Sequence, residues 1–83
     1  MKMKAITTIY HGPTNTRGSR IFADDGDGNR SIIPVNNALS IEQNYAEAVK
    51  RLCSKTGWEG SLVGGHLKHG MVWVWETDEK LKV

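Results

Sequence analysis

A single helix is written into the middle of this chain, and the rest must fold around it. Ser40 has the side-chain oxygen of a good N-cap, and Gln43 three residues later completes a capping box. Ile41, Tyr45, Ala48, Val49, Leu52 and Cys53 follow at helical spacing and form one apolar stripe. Glu42, Glu47, Lys50, Arg51 and Lys55 fall on the other side, with Glu47 and Arg51 in the favourable i,i+4 order. Gly57 is a natural residue to end the helix, and Trp58 after it can pack back on the last turn. A chain this short buries only roughly 60% of its unfolded surface, so one thin core must take the whole stripe. The 83 residues therefore read as a single domain, 1–83.

What the helix packs on reads as strands. Lys4 to Tyr10 is rich in β-branched and aromatic residues, although its imperfect alternation leaves the buried face open. Turn formers from Gly12 to Ser19 end it, and Arg20 to Ala23 makes a second short strand. Asp24 to Asn29 is a tight polar loop with Asp-Gly hairpin signals, followed by a strand from Ser31 to Val35. Pro34 places the end of that strand at an edge or just outside the ladder. Beyond the helix, Ser61 to Leu67 and Met71 to Thr77 form a second hairpin around Lys68-His69-Gly70. Gly64 and Gly65 weaken the first of these strands and suggest a bulge. The tail from Asp78 to Val83 is charged and expected to fray. The expected fold is α+β: an antiparallel sheet of about five short strands with one amphipathic helix, in the order β-β-β-α-β-β.

Composition excludes several classes. Cys53 is the only cysteine, so there is no disulfide framework, which suits a reducing cytoplasm. No stretch approaches the ~20 apolar residues of a membrane span. Met1-Lys2-Met3-Lys4 is basic, but no hydrophobic region or cleavage site follows it. The expectation is a cytoplasmic protein with no membrane association. The net charge of +2 is no strong nucleic-acid footprint. The basic excess sits in the first half, with its arginines at Arg17, Arg20 and Arg30.

Catalytic and metal readings find little support. Asp25, Asp27 and Asn29 keep the alternate spacing of a calcium loop, but Arg30 stands where glycine is needed and Asn36 where a bidentate glutamate belongs. The loop reads as a solvated hairpin turn. His66 and His69 lie three apart, with His11 and Cys53 elsewhere, and nothing completes a zinc set at recognisable spacing. Cys53 falls on the apolar stripe, where a small buried thiol is the default. Neither a nucleophile elbow nor a phosphate-binding glycine loop is present. No cofactor or metal is expected, and the chain does not read as an enzyme.

Two binding candidates remain. On the turn Asn15-Thr16-Arg17-Gly18-Ser19-Arg20, guanidinium groups, hydroxyls and exposed amides can hold phosphate or carboxylate oxygens, with Arg30 as a further cation. On the last strand, Met71, Trp73 and Trp75 project to one face and Val72 and Val74 to the other. One helix covers one face. Either the tryptophans are the core under the helix, or they are exposed and free to stack bases or anchor a partner.

The run from Lys4 through Gly12-Pro13-Thr14-Asn15-Thr16-Arg17-Gly18-Ser19-Arg20-Ile21 and Asp25-Gly26-Asp27-Gly28-Asn29, continuing through the helix to Gly57-Trp58, resembles small orphan proteins of phages and other bacterial mobile elements. That resemblance implies a context and no specific residues: inhibitors of host defence, anti-CRISPR proteins among them, or accessory regulators, acting in the host cytoplasm. The leading expectation is a non-enzymatic binding protein that blocks a host protein or nucleoprotein complex. The alternative is a nucleic-acid-binding module using Arg17, Arg20, Arg30, Asn15 and Ser19 with Trp73 and Trp75. An exposed edge at the third or fifth strand could pair with a second copy to form a homodimer.

Overall fold

The computed structural model describes residues 4–76, 81 and 82. The expected strand end at Thr77, the basic residues 1–3, and most of the charged tail lie outside the described residues. The elements are β1 (Ala5–His11), β2 (Arg20–Asp24), β3 (Arg30–Pro34), α1 (Ile41–Thr56), β4 (Leu62–Leu67) and β5 (Gly70–Trp75). The fold is α+β, with one helix on a five-stranded antiparallel sheet of order β3-β2-β1-β5-β4. Among the described residues, no helix is long and apolar enough to cross a membrane.

The ends of α1 follow local rules. Ser40 Oγ accepts from Gln43 N at 3.1 Å, and Gln43 Oε1 accepts from Ser40 N at 2.9 Å. Gly57 adopts φ 80°, a left-handed conformation that favours glycine, and its N–H donates to Cys53 O at 2.8 Å. The stripe differs from expectation at one position. Ile41 is 40% exposed, whereas Asn44 is buried at 2%. Asn44 replaces water with the connection before the helix: its Oδ1 accepts from Asn36 N at 2.8 Å, and its Nδ2 donates to Asn36 O at 3.0 Å. The expected Glu47–Arg51 pair is not the one formed; Glu47 Oε2 meets Lys50 Nζ at 3.2 Å.

The helix packs over β2 and β3, reaches β1 and touches β5. Its Tyr45, Ala48, Val49 and Leu52 meet Ile6, Ile21, Ala23, Met71 and Trp75 in one core. The tryptophan strand therefore turns its aromatic side inward. Trp75 is buried, donates to Glu59 O at 2.8 Å, and meets Trp58 edge-on at 5.7 Å. Trp73 is half-buried and donates to Thr8 Oγ1 at 3.2 Å.

Three further expectations are corrected. The β4–β5 register runs unbroken from Leu62↔Trp75 to Leu67↔Gly70, so the glycine pair makes no bulge. Gly64 is instead the floor under an aromatic ring, because a Cβ there would lie 2.8 Å from Trp73 Cε3. The sheet edges are β3 and β4; β5 lies inside, between β1 and β4. The aspartate loop is not simply solvated. Asp25 is buried, with Oδ1 accepting from Asp27 N at 2.8 Å and Asn29 N at 3.1 Å, and Oδ2 from Asn29 Nδ2 at 2.8 Å. Lys4 adds ion pairs to Asp25 and Asp27.

Candidate functional site

Among the described residues, the one helix covers one face of the sheet. Strand alternation sends Ile6 and Thr8, Ile21 and Ala23, and Met71, Trp73 and Trp75 towards the helix. The intervening residues form the opposite, open face. Across it the register aligns Ile32, Phe22, Ile9, Gly70 and Leu67 in one row, and Ala5, Val74 and Val63 in another. Ile9, Ile32, Val63, Leu67 and Val74 are between 41% and 50% exposed. Between these rows runs a third, Arg30, Asp24, Thr7, Val72 and Gly65, so exposed apolar side chains share the face with an ion pair, a grouping that makes it a candidate binding surface.

Its β1–β2–β3 side is aromatic and cationic. The Phe22 ring meets His11 at 4.1 Å between centroids, tilted by 41°. Arg30 lies over the same ring at 5.6 Å and Arg20 at 5.8 Å, within cation–π range. These side chains come from β1, β2 and β3, because alternate residues of paired strands share a face. Arg30 Nε is paired with Asp24 Oδ2 at 2.9 Å. Gly26 N–H and then Arg30 hold the Asp24 carboxyl below its ordinary value. Arg20 has no carboxylate partner among the described residues, and its Nε is shielded without a hydrogen-bond partner there. A shallow depression of about 390 Å³ runs here, lined by Thr7, Ile9, His11, Phe22, Asp24 and Arg30.

The expected site residues divide between three places. Arg20 and Arg30 come together at Phe22. Arg17 and Asn15 stay exposed on the 12–19 turn. Two amides of that turn are used internally: Thr14 Oγ1 accepts from Arg17 N at 3.1 Å and Thr16 N at 3.4 Å. Ser19 Oγ meets Tyr10 OH at 3.0 Å. Trp73 and Trp75 belong to the helix side and are not on the open face. Phe22, His11, Ile9 and Ile32 were missed as site residues; the available signal was the alternation Arg20-Ile21-Phe22-Ala23-Asp24.

Among the described residues, no three His, Cys, Asp or Glu side chains converge. Burial pushes the Cys53 thiol up, away from the thiolate form a nucleophile needs. A second groove lies between the start of α1 and the β4–β5 hairpin, walled by Tyr10, Ile41, Tyr45 and Leu67, with His66 Nε2 3.6 Å from Glu42 Oε2. It is open and carries no pairing as dense as that at Phe22. No protein-family model matches the chain, and no match was found among curated proteins or solved structures, so function rests on the site alone.

Proposed function

We propose that this protein is a non-enzymatic binding protein, and that it blocks a host protein or nucleoprotein complex by laying its open sheet face on the partner. The observation that carries the reading is the sheet face that α1 leaves open, with exposed aliphatic side chains and, on its β2–β3 side, Phe22 flanked by two arginines. Aromatic and arginine anchors ringed by aliphatic contacts are the composition of an interface hot spot. The partner class proposed with it is a bacterial defence component. The test is capture from bacterial lysate by immobilised wild-type and Phe22→Ala chains, each checked for fold by circular dichroism. Loss of a hot-spot anchor costs about 2 kcal/mol or more, roughly 30-fold in affinity. A stoichiometric partner retained by wild type and lost by Phe22→Ala supports the reading. A partner held equally by Phe22→Ala but released by Arg17→Ala sinks it.

A second reading has its own observation. The Phe22 ring, tilted against His11 and beside Arg20, offers an aromatic and cationic platform of the kind on which single-stranded bases stack. It stands second because the face is mainly aliphatic and Arg30 is already neutralised by Asp24. It requires salt-dependent binding, with a slope of about −0.7 per phosphate neutralised. A flat titration of a labelled single-stranded oligonucleotide at low salt eliminates it.

A further inference from the structure

The two edges of the sheet are finished differently. β3 ends in Pro34, which has no N–H to donate, and carries Arg30, whose carbonyl accepts from Lys55 Nζ at 2.9 Å. Proline, charge and a covering side chain are devices that stop an edge from pairing. β4 has no proline, and its one polar side chain is His66, whose Nε2 lies 3.6 Å from Glu42 Oε2 on the helix. Its sequence is Leu-Val-Gly-Gly-His-Leu, and the helix backbone does not pack over it.

We propose that β4 pairs antiparallel with β4 of a second copy, about a two-fold axis through Gly65, joining two five-stranded sheets into one. The register follows from the hairpin. Leu67 pairs with Gly70 across the two-residue turn, so Val63, Gly65 and Leu67 direct their backbone groups to β5. Gly64 and His66 direct theirs outward. Joining Gly64 of each copy to His66 of the other closes the new ladder. Gly65 then faces Gly65 at a non-hydrogen-bonded position, where strands approach to about 4.5 Å between Cα atoms. A Cβ at Gly65 would meet nothing within 4 Å in the single chain, so no side chain of its own stands in the way.

The same register sets Val63 against Leu67 twice, and these are 50% and 48% exposed in one chain. Both lie on the open face, so pairing covers two apolar contacts and brings no like charges opposite. Moving the axis to Gly64 would instead set Leu62 against His66 and Leu67 against Ser61. The edge is therefore self-complementary in one register. The two open faces then run on as a single surface, which is independent of what that surface binds.

Sedimentation velocity over a concentration series tests this. The wild-type chain should reach twice its 9.2 kDa mass. Val63→Lys with Leu67→Lys places lysine against lysine across both pairs and should give monomer. Val63→Glu with Leu67→Lys restores opposite charges in the same register and should restore the dimer. His66→Pro removes an outward N–H without touching the hairpin ladder and should also give monomer, which covers the case of a double-lysine chain that fails to fold. A wild-type chain that stays at 9.2 kDa into the millimolar range overturns the proposal. So does a dimer that survives the double lysine or His66→Pro, or a charge-paired variant as monomeric as the double lysine.

Discussion

Asn44→Ala should destabilise this domain more than any exposed substitution, although it lies in a helix where alanine is intrinsically favoured. The Asn44 amide is 2% exposed and joins α1 to the connection from β3. It accepts from Asn36 N at 2.8 Å and donates to Asn36 O at 3.0 Å and Ser40 O at 2.9 Å. Truncation leaves the Asn36 N–H without an acceptor, which costs about 1–3 kcal/mol, and loses two further bonds of about 1 kcal/mol each. The gain in helix propensity returns about 0.5 kcal/mol. The net loss is about 2.5–4.5 kcal/mol, against a total stability of roughly 4–12 kcal/mol for a domain of this length. At about 4–8 °C per kcal/mol, Tm should fall by roughly 10–35 °C. Thermal unfolding followed at the far-ultraviolet helix signal measures it. A variant within about 3 °C of wild type would show that the connection is not held by this side chain.

The remaining predictions concern the loop, the core and the thiol. The Asp25 carboxyl is lowered from 3.8 to about 2, first by the Asn29 side-chain amide, with the amides of Asp27 and Asn29 and the charge of Lys4 assisting. A lowered folded pKa gives stability that is present above 3.8 and lost as pH falls towards about 2. Tm measured against pH should therefore show an acid limb that Asp25→Asn flattens, and an unchanged limb refutes the assignment. Gly64→Ala should displace the Trp73 ring and cost about 1–3 kcal/mol, seen as a changed near-ultraviolet spectrum. An unchanged spectrum would place that ring elsewhere. Cys53, its thiol raised by burial, should alkylate more slowly than a free thiol in native protein and at the free-thiol rate in urea. Equal rates in both would contradict its place beside the core.

What could be read in the residues was what local physics decides. Ser40, Gln43 and Gly57 bracket the helix because capping depends only on neighbouring backbone groups. The strand count and α+β class followed from propensity and turn chemistry. Faces and neighbours did not follow. β1 is β-branched on both sides, so only the packing of α1 shows that Ile6 and Thr8 point inward. Strand order is non-local: β5 lies beside β1, which moves the free edge to β4. Asn44 escaped notice because hydrophobic periodicity does not register a polar side chain buried by its hydrogen bonds. The candidate site moved for the same reason. Arg20 and Arg30 were visible as cations, but their meeting at Phe22 needed the pairing of β2 with β3.

The open sheet face as the working surface is tested most directly by amide chemical-shift mapping of the labelled protein, titrated with the captured partner or with the oligonucleotide. Ile9, Phe22, Ile32 and Val74 should shift together, with α1 unmoved apart from small relayed effects. Shifts confined to α1 or to residues 12–19, with those four residues unchanged, would contradict it.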